Sequence, residues 1–248
     1  MTLNSEFEKW KAQNNQHGGQ AFSRFIMLKF LERLQHNSDE FIFKGGNLLW
    51  HYIQTPRETI DLDLVTLNLK SHLKVKKIIE KSCLKLDEIE FVVKEFKELD
   101  GVNEVGAAVV IAFKTAQGQK NQFTIDIVYS IPTDVAKVKS TLDGDALKAA
   151  SIENIICDKM SAAYQFKSGN TRMKDFDDLW RIAKSDIAIN TKRLSKLLNS
   201  RNINSYLDME WVSFLQDSWK RHAKSYKDIP SNLEDVFNEI NEWLKPLS

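Results

Sequence analysis

Cysteine is scarce in this sequence, which has two residues of this type, Cys83 and Cys157, among 248. So few cysteines argue against a disulfide framework and against a zinc site built from thiolates. An excess of one charge is also lacking, because 35 Lys and Arg residues stand against 34 Asp and Glu residues. The overall charge therefore does not indicate a DNA or membrane partner, and any nucleic-acid surface has to be local.

Long apolar runs are absent as well. No stretch approaches the roughly 20 consecutive apolar residues that span a bilayer. The first residues, Met1 to Glu6, lack a basic segment followed by an apolar one. We therefore expect a cytoplasmic protein with no membrane partner. Internal repeats, low-complexity segments and long linkers are also missing from the pattern.

The first half of the chain alternates strand and helix signals. Apolar spacing predicts a helix over residues 20–35, and Phe41 to Phe43 predict a short buried strand. Further strands are predicted at Ile89 to Phe96, Val105 to Thr115 and Gln122 to Tyr129. The glycine-containing turn between the last two predicts an antiparallel hairpin.

From about Ile152 the apolar spacing becomes helical, beginning with a predicted helix from Ile152 to Phe166. Pro132, Gly144 and several aspartates interrupt the pattern before it. We therefore predict an α/β domain over residues 1–140, built on a mixed sheet with flanking helices. An all-helical domain is predicted to follow over residues 141–248.

A glycine turn, Lys44-Gly45-Gly46-Asn47, lies between the strand at Phe41 to Phe43 and a predicted helix. Glycines let the backbone approach phosphate closely, and the start of a helix attracts anions. Asn47 can add a side-chain hydrogen bond there. The turn therefore predicts a phosphate site, although an ordinary tight connection between a strand and a helix has the same pattern.

Acidic residues form the second motif. Residues Ile60 to Val65 alternate in polarity, so Asp61 and Asp63 point to the same face of a predicted strand. Asp126 is a single acid within another apolar strand, a position where burial is costly unless the acid has a function or a partner. Three such carboxylates can hold Mg²⁺ or Mn²⁺ together with a triphosphate. A solvated strand face is the competing interpretation of the acid pair.

Two residues just before the acid pair extend the predicted nucleotide contacts. Arg57 can pair with Asp61 or with a phosphate, and an exposed ion pair explains it equally well. Thr59 lies two positions before Asp61. We include both, together with Lys44 and the glycine turn, among the predicted nucleotide-binding residues.

The segments Lys44 to Leu49 and Arg57 to Leu64 resemble the signature of AbiEii/AbiGii-type nucleotidyltransferase toxins, in the DNA polymerase β-like superfamily. The resemblance continues at the strand around Asp126 and at two later segments, Asp158 to Ala162 and Arg172 to Leu179. The ordered combination is far more specific than any one segment. It departs from the family at Asn47, where a small hydroxyl residue is usual.

This resemblance implies a metal-dependent enzyme that transfers a nucleoside monophosphate from an NTP to an acceptor and releases pyrophosphate. It implies that Lys159 contacts the triphosphate or the base and that Asp175 belongs to the active centre, so that the helical domain contributes to the active-site cleft. It further implies a tRNA 3′ end as acceptor and a cognate antitoxin protein as partner. Composition alone favours a surface lysine as the account of Lys159, and an ordinary ion-paired helix surface is the competing account of Asp175.

Two other functions fit parts of the pattern. A nucleotide- or RNA-binding regulator could keep the fold without turnover, and Asn47 slightly favours this reading, whereas the intact acids argue against it. A glycosyltransferase also uses an Asp-x-Asp pair to hold a metal-bound nucleotide. The glycine turn and Asp126 favour nucleotidyl transfer over sugar transfer.

Overall fold

The computed structural model describes residues 2–14, 20–55, 59, 61–83, 88–101, 105–129, 131–142, 144–226 and 228–247. The chain divides into two compact units, Met1–Ser151 and Ile152–Ser248, which we call the sheet unit and the helical unit. Among the helices in these described ranges, none combines the length and the apolar character needed to cross a membrane.

The sheet unit is built on a mixed sheet. Its strands in the described ranges are β1 (Phe41–Lys44), β2 (Asp61–Thr66), β3 (Ile89–Asp100), β4 (Val105–Thr115), β5 (Lys120–Tyr129), β6 (Val135–Val138) and β7 (Leu147–Ala150). Their order in the sheet is β3-β4-β5-β2-β1-β7-β6. The pairs β2 with β5 and β1 with β7 are parallel, and the others are antiparallel. The predicted hairpin between β4 and β5 is confirmed.

Helices flank this sheet and bury one of its faces. They are α1 (Leu3–Gln13), α2 (Ala21–Asn37), α3 (Gly45–Ile53) and α4 (His72–Ser82). Phe30 of α2 packs against Phe123 of β5 with ring centroids 5.6 Å apart. Because side chains alternate along a strand, Ile125 and its neighbour Leu62 on β2 share this buried face with Phe123. The acids between these apolar residues therefore lie on the other face.

Two strands that the sequence pattern did not predict, β6 and β7, extend the sheet beyond residue 140. Strand β7 pairs with β1 through Phe43 and Ala149, and β6 pairs with β7. Each strand has four residues, which is too short for a recognisable alternation. Because these strands complete the sheet, the first compact unit continues to Ser151, whereas the sequence placed the end of the first domain at residue 140.

The helical unit begins with the predicted helix from Ile152 to Phe166, which the structure has with the same bounds. Its helices are α5 (Ile152–Phe166), α6 (Met173–Lys184), α7 (Thr191–Ser200), α8 (Val212–Ala223) and α9 (Leu233–Leu244). Phe176 of α6 and Phe237 of α9 are fully buried, with ring centroids 5.0 Å apart. A mixed sheet with flanking helices followed by a helical region confirms the predicted fold class.

Candidate active site

The glycine turn packs directly against one of the predicted acids. Gly45 has a backbone φ of +76°, which side chains rarely adopt, and a Cβ placed on it would lie 1.8 Å from Oδ2 of Asp63. The backbone N–H of Gly46 donates a hydrogen bond to the Asp63 carboxylate. The two glycines therefore position an acid. Phosphate binding at this turn stays a prediction from the sequence.

The predicted acids come together in neighbouring strands. Asp63 of β2 lies directly opposite Asp126 of the parallel strand β5, and Asp61 lies opposite Thr124. On the other side of β2, Lys44 of β1 lies opposite Asp63. One row across the sheet thus places a lysine, an acid and a second acid side by side, with Asp61 two positions away on the same face.

Burial and charge act together on Asp63. Burial raises the pKa of this carboxyl, and the negative charges of Asp126 and Asp61 raise it further, while Lys44 and the Gly46 hydrogen bond oppose the rise. Asp126, by contrast, is exposed at the surface of the sheet. Two carboxylates that repel each other, one of them open to solvent, favour the binding of a cation.

The side-chain amide of Asn47, a predicted phosphate contact, is hydrogen-bonded within the protein. Its side chain is 3% exposed, and its Nδ2 donates to the backbone carbonyl of Asp61 at 2.6 Å. Its Oδ1 accepts from Nε of the buried Arg24 at 3.2 Å. Arg24 also lies over the ring of Trp50, 4.8 Å from its centroid. Asn47 thus connects α2 and α3 to the strand that carries the acids.

Sequence reasoning missed Arg24 as part of this site. The position of Arg24 among apolar residues of the predicted helix over 20–35 was the available signal, because a buried arginine needs a polar partner. Its partner, Asn47, lies 23 positions further along the chain. Spacing alone could not connect the two.

Arg57 and Thr59 are the predicted nucleotide contacts before the acid pair, and the structure describes Thr59. The hydroxyl of Thr59 is buried and has no hydrogen-bond partner among the residues that the structure describes. Arg57 lies outside the described residues.

The nearby His51 is held by the backbone carbonyl of Asn47, 3.3 Å from its Nδ1, and burial lowers the pKa of its imidazole to about 4. The ring is therefore neutral near pH 7.

The helical unit holds the other two predicted residues in one buried ion cluster. Nζ of Lys159 lies 2.6 Å from Oδ2 of Asp178 and 3.2 Å from Oδ1 of Asp175. Arg172 reaches the second oxygen of Asp175 at 2.7 Å. Burial by itself would raise the pKa of Asp175, but the charges of Lys159 and Arg172 outweigh it and lower the pKa below its usual value. Asp178 is fully buried, so an ordinary ion-paired helix surface does not describe this cluster.

A second group of polar residues lies elsewhere in the sheet unit and was not predicted. His72, Glu98 and Asp100 each bring one possible metal-ligand atom within 4.8 Å of the others, and no other trio of such residues in the described ranges does so. The predicted metal ligands Asp61, Asp63 and Asp126 are neighbours in the sheet but lie less close together. His72 and Glu98 are 26 positions apart, which is not a recognisable motif spacing.

The donor set of the predicted acids fits a hard divalent cation. Mg²⁺ and Mn²⁺ prefer carboxylate oxygens, and the row of Asp63 and Asp126, with Asp61 beside it, supplies three carboxylates on one face. Phosphate groups are compatible with the glycine turn and with Lys44 next to it. The arrangement can therefore hold a metal and a phosphorylated substrate side by side.

Two solved structures resemble this fold over nearly their whole length. The crystal structure of JHP933 from Helicobacter pylori is 16% identical and covers 94% of this chain and 93% of its own, with a TM-score of 0.60. The crystal structure of a candidate nucleotidyltransferase from H. pylori is also 16% identical and covers 93% of this chain and 96% of its own, with a TM-score of 0.59. At this level of identity the likeness is one of fold.

No curated protein matches the sequence of this chain. The family model described as the nucleotidyl transferase AbiEii toxin of a type IV toxin–antitoxin system does match it, over residues 29–242. The matched range includes the glycine turn, the three acids of the sheet and the ion cluster of the helical unit. It confirms the resemblance seen in the motifs, and the chain belongs to the AbiEii nucleotidyltransferase toxin family.

Proposed function

We propose that this protein transfers a nucleoside monophosphate from an NTP to an acceptor hydroxyl and releases pyrophosphate. The observation that carries the proposal is the pair Asp63 and Asp126, directly opposite each other on parallel strands, with the turn at Gly45 and Gly46 packed against Asp63. This arrangement joins acids suited to a divalent metal with backbone suited to phosphate. It also agrees with the nucleotidyltransferase family.

In this proposal, Asp61, Asp63 and Asp126 hold the divalent metal, Mg²⁺ or Mn²⁺. When bound, the metal supplies positive charge that polarises the α-phosphate and favours deprotonation of the acceptor hydroxyl. Asp126 is the exposed member of the trio, so we assign it the task of orienting that hydroxyl or accepting its proton.

The triphosphate is assigned to the residues around the glycine turn. The N–H of Gly46 already donates to Asp63, so we assign the phosphate oxygens to the other backbone N–H groups at the start of α3 and to the ammonium group of Lys44. The Thr59 hydroxyl, which lacks a partner among the described residues, can donate to a phosphate oxygen of the triphosphate.

Asn47 receives a different role from the one predicted. Because its amide is already bonded to Arg24 and to the Asp61 carbonyl, we assign it to hold β2 against α3.

The acceptor and the partner are proposed from the family. A toxin of a type IV toxin–antitoxin system implies a cognate antitoxin, and the motif resemblance indicates the 3′ end of tRNA as the acceptor. Lys159 and Asp175 enter the proposal as active-centre residues through the same resemblance. An NTP donor and a tRNA acceptor both imply action in the cytoplasm.

The decisive experiment incubates the protein with each α-labelled NTP, Mg²⁺ and total tRNA, and follows the label into RNA. We expect transfer with at least one NTP, its loss on chelation of the metal, and its loss in Asp61→Ala and Asp126→Asn. Glu90→Gln is a matched control, because Glu90 is an exposed acid on β3 of the same sheet. That variant should keep wild-type transfer.

Two outcomes would contradict the proposal, and a third would replace tRNA as the acceptor. Tight NTP binding without transfer would indicate the regulatory function instead. Label on protein and none on RNA would show that the acceptor is a protein. Unchanged transfer in both Asp61→Ala and Asp126→Asn would remove these two acids from the reaction.

A further inference from the structure

His72, Glu98 and Asp100 form a cluster that the proposed reaction does not use. His72 is the first residue of α4, and the two acids lie at the end of β3. Nε2 of His72 is 3.0 Å from Oδ1 of Asp100, and one ligand atom from each of the three residues lies within 4.8 Å of the others. An imidazole and two carboxylates thus converge from two consecutive elements of the chain.

This cluster is separate from the row of sheet acids. Tyr129, which contacts His72, lies three positions beyond Asp126 on β5, about 10 Å along the strand. It also belongs to the alternate set of β5 residues that contains Ile127 and is buried, so it points to the opposite face from Asp126. One metal ion cannot be shared by the two groups.

The His72 ring is oriented as a metal-binding imidazole usually is. Its Nδ1 is 3.0 Å from the hydroxyl of the buried Tyr129, while its Nε2 faces Asp100. Ligating histidines commonly use their second nitrogen in such a bond, which fixes the tautomer and the ring plane. If Nδ1 carries the proton and donates to the Tyr129 oxygen, the Nε2 lone pair is directed at the acids.

We propose that His72, Glu98 and Asp100 bind one first-row divalent transition-metal ion, with zinc as the expected ion, and that this ion joins the start of α4 to the end of β3. Imidazole selects such ions over Mg²⁺ and Ca²⁺, and carboxylates complete a three-ligand set with a position left for water.

The exposures of the ligands suit binding from solution. The His72 side chain is 18% exposed and that of Asp100 is 72% exposed, so an ion can enter without disturbing the core. An ion that binds the folded chain alone adds stability in proportion to the logarithm of its concentration over its Kd.

The test is a calorimetric titration of untagged, chelator-treated full-length protein with zinc in excess Mg²⁺, which occupies carboxylate-only sites. We expect one zinc ion per chain and a rise in Tm on zinc addition. His72→Gln and Asp100→Asn should abolish both effects. Asp126→Asn, which alters the sheet acids, should keep them.

Tyr129→Phe separates a constructed metal site from a loose surface cluster. Removing the hydroxyl that orients His72 should weaken zinc binding about 10- to 100-fold, the usual effect of losing such a partner. Circular dichroism and the Tm without zinc show whether each variant is folded. If His72→Gln fails to fold, Glu98→Gln on the exposed end of β3 gives the same test.

Cobalt gives an independent spectroscopic measurement. Co²⁺ bound in place of zinc should produce visible absorption bands that are absent in His72→Gln. The proposal is overturned if the wild-type protein takes up no zinc, if His72→Gln binds it as tightly as wild type, or if binding is lost in Asp126→Asn but kept in His72→Gln.

Discussion

Gly45 and Asp63 are packed so closely that no side chain fits between them. A Cβ on Gly45 would lie 1.8 Å from Oδ2 and 2.6 Å from Cβ of Asp63. The glycine also has a positive φ, so its identity is required twice, once by its conformation and once by the acid next to it. A glycine turn that resembles a phosphate site in sequence therefore also positions an acid.

Gly45→Ala should lose both stability and nucleotidyl transfer. The matched control is Gly118→Ala, because Gly118 has a φ of +86° with nothing within 4 Å of its added Cβ. The control isolates the cost of the conformation, about 1–2 kcal/mol. Gly45→Ala should cost a further ~1–3 kcal/mol from overlap with Asp63. Urea unfolding measures both, and equal losses in the two variants would show that the contact with Asp63 carries no cost.

Asn47→Ala should lower the free energy of unfolding by about 1–3 kcal/mol, because it leaves Arg24 and the Asp61 carbonyl without this buried partner. Asn47→Asp should also destabilise, since it keeps the acceptor for Arg24 but places an oxygen against the Asp61 carbonyl. Asn199→Ala, at an exposed helical position, is the control. If Asn47→Ala loses phosphate binding at unchanged stability, the direct contact predicted from the sequence is correct.

Lys159→Met should destabilise the helical unit strongly. It leaves Asp175 and Asp178 buried without this cation, and breaking a buried ion pair costs about 3–5 kcal/mol. Lys184→Met is the matched control, because the ion pair of Lys184 with Glu239 is exposed and contributes about 1 kcal/mol or less. Thermal unfolding compares the two. If Lys159→Met has normal stability but no nucleotidyl transfer, Lys159 acts on the substrate rather than on the two acids.

Acid should weaken the sheet unit through His51. The pKa of its buried imidazole is lowered to about 4, so the unfolded chain binds a proton that the folded chain does not. The stability contribution is therefore fully present above a pH of about 6.5 and is lost as the pH falls toward about 4, by an amount on the order of 3 kcal/mol. Unfolding free energies near neutral pH and near pH 4.5 measure this loss. His51→Gln should show a smaller loss than wild type, and identical losses would rule out His51 as the cause.

Much of the sheet unit could be predicted from local patterns. Alternation in β2 and β5 and the turn between β4 and β5 are properties of neighbouring residues, and the structure has them at nearly the predicted bounds. The short strands β6 and β7 were missed, because four residues form a strand only when a partner such as β1 is present. With these two strands, the first compact unit continues past residue 140 to Ser151.

The sequence by itself determined that Asp61 and Asp63 share a face and that a glycine turn precedes a helix, because period and turn conformation are local. Only the tertiary structure decided that Asp63 lies beside Asp126 and against Gly45, because strand order and register depend on long-range packing. Tertiary packing likewise decided the partners of Lys159 and of His72. Such contacts join residues that are many positions apart in the sequence. No local pattern indicates which distant segments will pack together.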